Sequence, residues 1–156
     1  MRFQNVFFPY GCYWSTPFAR WQGNFAHLHP IKFAGEIAAR ALKERNLAAE
    51  NFDALFLGMT VPQKHSFYGA PWLAAMLGAP NLTGPVLSQA CATSARVLAS
   101  SALEVETGAQ RAVLAITLDR TSNGPHIYYP NPLGPGGKGE TEDWVFDNFN
   151  FDPHAK

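Results

Sequence analysis

The sequence has little charge, and neither sign is in excess. Twelve Lys and Arg residues balance twelve Asp and Glu residues among 156, so the formal net charge is zero. A neutral chain has no basic surface for nucleic acid or for an anionic membrane, and no acidic solvating tail. We therefore expect neither nucleic acid nor a membrane among its partners.

Cysteine and long apolar runs are also scarce. The two cysteines, Cys12 and Cys91, make neither a disulfide framework nor a zinc-type CxxC pair. His27 and His29 lie two residues apart without further ligands near them, so no metal site is expected. The N-terminus lacks the apolar core of a signal peptide, and no run reaches the roughly 18 apolar residues of a membrane span. These absences predict a soluble chain in the reducing cytoplasm.

The apolar residues that are present alternate between strand-like and helix-like patterns. Short apolar runs predict strands at residues 6–8, 53–59, 85–89 and 110–118. Helical spacing predicts helices at residues 30–46, 70–77 and 92–107, the last with an apolar stripe of Ala95, Leu98, Ala102 and Val105. The order β-α-β-α-β-α-β predicts an α/β fold with a mostly parallel sheet.

Composition changes after residue 118. Residues 119–156 are rich in Gly, Pro, Asn and Asp, and they predict a loop region without a clear element. Its GPGGKG run at residues 134–139 lacks the spacing of a phosphate-binding loop, so no phosphate site is expected there. At the other end, the aromatic residues between Phe7 and Trp21 lack interleaved basic residues, which favours core and dimer packing over stacking on nucleic acid.

Cys91 is the strongest candidate for chemistry. It follows a predicted strand and precedes a predicted helix, where the positive end of the helix dipole favours a thiolate. Small residues follow it, Ala92, Thr93 and Ser94, which leaves room for a substrate. A thiolate there could attack a thioester carbonyl to form an acyl-enzyme. The alternative is a buried structural cysteine, and placement alone leaves both readings open.

Three segments, in one order, resemble the thiolase family. LSQACATSARVLASSALEVETG, which contains Cys91, is similar to the nucleophile segment of thiolases. STPFARWQGNF at residues 15–25 resembles the Thr-Pro-Phe-Gly-aromatic loop near thiolase N-termini. LDRTSNGPH at residues 118–126 resembles the Glu-Ser-Met-Ser-Asn-x-Pro-His stretch, with Asp119 in place of the usual Glu. Ala95 and Val97 also depart from the usual residues.

The resemblance implies an acyl-CoA C-acyltransferase that makes or cleaves β-ketoacyl-CoA, with Cys91 as the nucleophile. It implies a thiolase-like βαβαβαβ half over residues 1–118, followed by the start of an inserted loop domain over residues 119–156. It also implies coenzyme A thioesters as substrates, no permanently bound cofactor, a homodimer or homotetramer, and His126 near the coenzyme A channel. A ketoacyl synthase or hydroxymethylglutaryl-CoA synthase is a related alternative, but the Ser-Asn-Gly-Pro-His run favours a thiolase.

The resemblance also implies groups that this sequence lacks. In thiolases an Asn-bearing motif, a Gly-His-Pro histidine and a Cys-x-Gly cysteine complete the active site, and none of these motifs is present. Cys12 lies in the wrong segment to be that second cysteine. We therefore expect a truncated or cleaved thiolase, or half of a split enzyme, that is inactive alone and is completed by a C-terminal fragment or a complementing chain. The alternative is a non-catalytic thiolase-like subunit that scaffolds a partner acyltransferase.

Overall fold

The computed structural model describes residues 2–151 and residue 154. Met1 and residues 152, 153, 155 and 156, which include the end of the predicted loop region, lie outside the described residues. The helices and strands follow one another as α1 (Pro30–Glu44), β1 (Ala54–Gly58), α2 (Gly69–Met76), β2 (Val86–Leu87), α3 (Thr93–Glu106), β3 (Val113–Thr117), β4 (His126–Tyr129), β5 (Glu140–Asp143) and α4 (Trp144–Phe149).

The first three strands form one parallel sheet in the order β2-β1-β3. Helices α2 and α3 lie between them in sequence, so each parallel connection passes through a helix, as such pairs require. The predicted α/β fold with a mostly parallel sheet is therefore confirmed. The predicted segments at 53–59, 85–89 and 110–118 all contain strands, although β2 has only two residues.

Strand β1 is buried on both faces because helices cover both sides of the sheet. Leu55 and Leu57 are fully buried in a cluster with residues of α1 and α2. Ala54 and Phe56 point the other way and pack with Val97 of α3. A strand enclosed in this way reads as a continuous apolar run, which is why the sequence indicated it so clearly.

Helix α1 has the start and end signals that the sequence predicted. Pro30 occupies the first turn, where its missing N–H leaves no hydrogen bond unmade. The helix ends at Glu44, and Asn46 then takes a left-handed backbone conformation with φ of 53°. At Gly35, helix α1 packs against α2 so closely that a Cβ on this residue would lie 2.6 Å from Cε of Met76. Gly35 thus sets the distance between these two helices.

The predicted apolar stripe of α3 is wrong. Ala95 and Leu98 are exposed, and the buried residues of this helix are Thr93, Val97, Ser101 and Ala102. Of the predicted stripe only Ala102 is fully buried. Two polar residues, Thr93 and Ser101, lie on the buried face, and apolar periodicity misses them because their side chains are short but polar.

The N-terminal predictions are also wrong in part. Residues 6–8 form no strand, and Phe7 and Phe8 are exposed. Most aromatic residues of this segment are exposed rather than packed in the core. Trp14 is the exception, since it packs against the main apolar cluster with the Arg45 guanidinium 5.6 Å from its ring centroid.

Residues 119–151 contain regular structure that composition did not reveal. Strands β4 and β5 form an antiparallel hairpin in which His126 pairs with Asp143 and Tyr129 with Glu140. The Gly-rich segment at 134–139 is the hairpin connection, where Gly136 and Gly137 have positive φ. Helix α4 follows directly, and Asp143 caps it by accepting hydrogen bonds from the N–H groups of Val145 and Phe146. The domain boundary at residue 118 stays a prediction.

Candidate active site around Cys91

Cys91 lies where the sequence predicted, in the turn between β2 and α3. Its side chain is exposed and forms no disulfide, and α3 begins two residues later at Thr93. The preceding residue, Ala90, has φ of 44°. A left-handed backbone is costly for a residue with a Cβ, so surrounding contacts must hold this turn in place.

Thr93 is the main contact that holds the turn. Its Oγ1 donates to the carbonyl oxygen of Ala90 at 2.7 Å and accepts from the N–H of Gln89 at 2.8 Å. Thr60, which follows β1, adds its own hydroxyl at 3.2 Å from the Ala90 carbonyl and 3.1 Å from Thr93 Oγ1. Thr93 is buried, so water competes little for these bonds. Two hydroxyls from different elements therefore fix the backbone beside Cys91.

A cavity of about 380 Å³ opens beside Cys91 at the carboxyl ends of the three parallel strands. Asp119, just after β3, joins two of these ends because its Oδ1 accepts from the N–H groups of Thr60 at 2.9 Å and Val61 at 2.8 Å. Ligands of open α/β sheets bind at this edge. The cavity is lined by Phe18, Gly58, Thr60, Ala90, Cys91, Thr93, Ser94, Thr117, Leu118, Asp119 and Phe149.

The cavity offers a nucleophile but little acid–base chemistry. Among the described residues that line it there is no histidine, and Asp119 is the single carboxylate. One oxygen of that carboxylate is already engaged by two backbone donors. The walls contributed by Phe18 and Phe149 are apolar and come from opposite ends of the described chain. The arrangement suits a covalent intermediate on sulfur better than proton transfer.

The three sequence segments that resemble thiolases meet around this cavity. Each segment contributes a residue that lines it: Phe18 from the first, Cys91 from the second and Asp119 from the third. The first and third segments also bond directly, through Gln22 N–H to Ser122 Oγ at 2.7 Å. Their order in sequence could not show that they come together, because the sheet brings them there.

Arg120 links three loops behind the site. Its guanidinium donates to the carbonyl oxygens of Ala26 and Leu28 and to Oε1 of Gln63, which is buried. The Asn123 amide donates to the same Ala26 carbonyl. Residues 119–123 are therefore held against both the N-terminal loop and the loop after β1. Composition had suggested only a loop here.

The structure does not bring His126 to Cys91. His126 begins β4 with its side chain largely exposed, and its Nε2 lies 4.0 Å from Oδ2 of Asp143 across the hairpin. It does not line the cavity beside Cys91. A contact between His126 and coenzyme A stays a prediction. Sequence reasoning did not single out Thr60 and Phe149, which line the cavity, and it took Thr93 only as a small residue rather than as the residue that holds the turn. Thr60 and Thr93 could have been found from their positions at the strand and helix ends.

Comparison with known proteins gives a structural match but no sequence match. No family model matches the chain, and no curated protein matches it by sequence. Among solved structures, an acetyl-CoA acetyltransferase from Bacillus anthracis superimposes with a TM-score of 0.70 at 20% sequence identity. The match covers 83% of this chain and 33% of that one, so the chain spans about a third of the length of the acetyltransferase. At this identity the likeness shows the fold alone, which this chain shares with one part of that acetyltransferase.

Two further findings concern other kinds of site. In the described part of the chain, no helix is long and apolar enough to cross a membrane. Residues 2–151 and 154 contain no group of three or more His, Cys, Asp or Glu side chains placed to hold a metal ion.

Proposed function

We propose that the chain is the nucleophile-bearing part of a thiolase-type acyl-CoA C-acyltransferase, which forms or cleaves β-ketoacyl-CoA. The observation that carries the proposal is the exposed Cys91, at the carboxyl edge of the parallel sheet and directly before α3, in a fold shared with an acetyl-CoA acetyltransferase. Exposure at this position argues against the buried structural cysteine. The fold likeness and the two resembling segments at residues 15–25 and 118–126 support the family independently of Cys91.

In the proposed first step the Cys91 thiolate attacks the thioester carbonyl of an acyl-CoA. A carbon–sulfur bond to Cys91 forms, the bond to the coenzyme A sulfur breaks, and coenzyme A leaves as a thiolate that takes up a proton. The backbone N–H of Cys91 would donate to the carbonyl oxygen as negative charge develops there. The hydrogen bonds from Thr93 and Thr60 to the Ala90 carbonyl would hold that N–H in position.

The second step needs groups that the Cys91 cavity lacks. Deprotonation of the second acyl-CoA at its α-carbon requires a general base, and the described cavity has no histidine and no second cysteine. We infer that a C-terminal fragment or a complementing chain supplies them, and that the assembled enzyme is a homodimer or homotetramer. The second candidate function, a non-catalytic scaffold for a partner acyltransferase, is favoured by the same lack of a base.

Acylation of Cys91 separates these functions. Incubation with acetyl-CoA and the complementing chain, followed by peptide mass spectrometry, should place an acetyl group on Cys91. Cys12 is a matched control because it is also an exposed free cysteine. Cys91→Ala should abolish labelling and turnover, while Cys12→Ala should leave both unchanged. Turnover that survives Cys91→Ala would exclude the acyltransferase mechanism, and an assembled complex without acetyl-Cys91 would favour the scaffold.

A further inference from the structure

The cavity beside Cys91 has one carboxylate and no cation to balance it. Among the described residues that line it, none is a lysine, arginine or histidine. Oδ1 of Asp119 accepts from two backbone N–H groups, whereas its Oδ2 makes no hydrogen bond within the described part of the chain. The next residue, Arg120, does not line the cavity, because its guanidinium is bonded to Leu28 and Gln63. One wall of the cavity therefore carries an uncompensated negative charge.

The largest side chains at this cavity are two phenylalanines. Phe18 is fully exposed and Phe149 is 56% exposed, although both line the same concave site. Exposed apolar side chains around a cleft are typical of a surface that binds an apolar group. Ala90 and Leu118 add to the apolar lining. Apart from Asp119, the cavity therefore favours a neutral carbon chain.

Phe149 is held at the cavity by the packing of α4. The N–H of Trp144 donates to the carbonyl oxygen of Pro125 at 3.1 Å, which fixes the start of the helix. Val145 packs against Gly124 so closely that a Cβ on Gly124 would clash with it. Phe149 lies one turn further along the same helix, so these two contacts set the position of its ring.

The volume of the cavity favours a short chain. If each heavy atom with its hydrogens takes the roughly 30 Å³ of a water molecule, a cavity of about 380 Å³ holds roughly twelve such atoms. The thioester carbonyl and the start of the thiol arm occupy roughly half of that space, which leaves room for roughly four to six carbons of an acyl chain.

We propose that the Cys91 cavity selects neutral acyl groups with an apolar chain of roughly four to six carbons. Phe149 limits the length of the chain, and Asp119 repels an acyl group that carries a second carboxylate. The acyl nature of the ligand rests on the proposed function. The selection for length and charge rests on Phe149, Asp119 and the cavity volume.

Chemical acylation of the isolated chain tests this selection without requiring turnover. The probes are acyl thiophenyl esters, whose leaving thiol has a low pKa and needs no general acid. The Cys91 thiolate forms a bond to the carbonyl carbon, and the bond from that carbon to the thiophenyl sulfur breaks to release thiophenolate. Mass spectrometry measures the acylation rate at Cys91 relative to a synthetic peptide of residues 87–95, which has the same local sequence and no cavity.

The length selection is read from acetyl, pentanoyl and decanoyl esters. Burial of each methylene is worth up to about fourfold, so the relative rate for pentanoyl should exceed that for acetyl by at least about fivefold. The rate for decanoyl should fall below that for pentanoyl, and Phe149→Ala should raise it by at least about fivefold. Phe146→Ala is the matched control, because Phe146 is also an exposed phenylalanine of α4 but does not line the cavity.

The charge selection is read from two esters of equal length. The glutaryl ester ends in a carboxylate, and the glutaramoyl ester ends in a neutral amide. A cavity of about 380 Å³ is about 9 Å across, so repulsion by Asp119 should slow the glutaryl ester by about tenfold relative to the amide. Asp119→Asn keeps an oxygen for the two backbone donors and should remove most of this difference. Glu50→Gln removes one exposed acidic charge outside the cavity and should preserve it.

Three results would overturn the selection. These are relative rates that rise steadily from acetyl to decanoyl, equal relative rates for the glutaryl and glutaramoyl esters, or the same length dependence with and without the Phe149 ring. If Phe149→Ala does not fold, the ester series on the unmodified chain still decides whether the cavity limits length.

The ester series is also independent of the proposed function, since it needs no enzymatic activity. Selection among the esters by a chain whose complemented form does not turn over acetyl-CoA would retain the selective cavity and reject the acyltransferase. Turnover of acetyl-CoA by the complemented enzyme without selection among the esters would do the reverse.

Discussion

Gly58→Ala tests how tightly the floor of the Cys91 cavity is packed. Gly58 ends β1, and an added Cβ would lie 2.7 Å from Val97 Cγ2, 2.9 Å from Thr117 Cγ2 and 3.0 Å from Thr93 Cγ2. All three neighbours are β-branched and have few rotamers to escape into. Overpacking of this kind costs about 1–3 kcal/mol. Alanine also has less conformational entropy than glycine in the unfolded chain. This difference stabilises the fold by about 0.4–1 kcal/mol and offsets part of the overpacking cost.

We therefore expect Gly58→Ala to lower the free energy of unfolding by about 1–2 kcal/mol. For a chain of this size that lowers Tm by about 2–8 °C. Urea denaturation followed by circular dichroism measures the free energy, and calorimetry measures Tm. The displaced Thr93 should also change the rate at which iodoacetamide alkylates Cys91, relative to the rate at Cys12.

Val97→Ala supplies the control. Alone it removes two buried methyl groups and should cost about 2 kcal/mol. In the double variant the shortest contact of the new Cβ is gone, so the combined loss should be smaller than the sum by about 1 kcal/mol. Additive losses, or a Gly58→Ala chain that is more stable than the original, would refute the packing argument.

Three further predictions concern hydrogen bonds at and away from the site. The Arg111 side chain, with the backbone N–H groups of Arg111 and Ala112, lowers the pKa of Asp53 from 3.8 to about 2. The charged Asp53 therefore stabilises the fold fully above about pH 4, and this contribution disappears as pH falls through about 2; Asp53→Asn should remove that part of the pH dependence in urea titrations. The hydrogen bond to Glu142 raises the pKa of Tyr129, so the hairpin should lose stability as pH rises above 10 and through the raised value. Absorbance of the phenolate should show that Tyr129 ionises above pH 10. The Tyr129→Phe chain should not lose stability in this alkaline range. Thr93→Val should change the rate of Cys91 alkylation relative to that of Cys12, and Thr93→Ser should restore it; identical relative rates for all three chains would show that the hydroxyl does not position Cys91.

Local sequence signals predicted the elements that nearby residues alone can mark. Strand β1 was evident because both of its faces are covered, so every residue from Ala54 to Gly58 is buried. Helix α1 was evident because Pro30 and Asn46 have conformations that suit its ends. Cys91 was placed correctly because a strand, a cysteine and a helix follow each other directly in sequence, so no distant contact was needed to locate it.

Predictions failed where distant contacts decide the structure. Residues 6–8 look like a strand, but a strand needs a neighbour, and the described chain places a cavity there instead. The buried face of α3 carries Thr93 and Ser101, whose polarity hides it from apolar periodicity. The hairpin of β4 and β5 was missed because its residues are mostly exposed, so no alternating apolar pattern marks the strands.

The sequence by itself determined the parallel α/β order, the position of Cys91 before α3, and the segments that resemble thiolases. These depend on local pattern and on residue identity. Only the tertiary structure brought Phe18, Thr60 and Asp119 to Cys91 and kept His126 away from it. These distances between side chains depend on how the sheet aligns the ends of strands that are far apart in sequence. The local sequence pattern does not indicate that alignment.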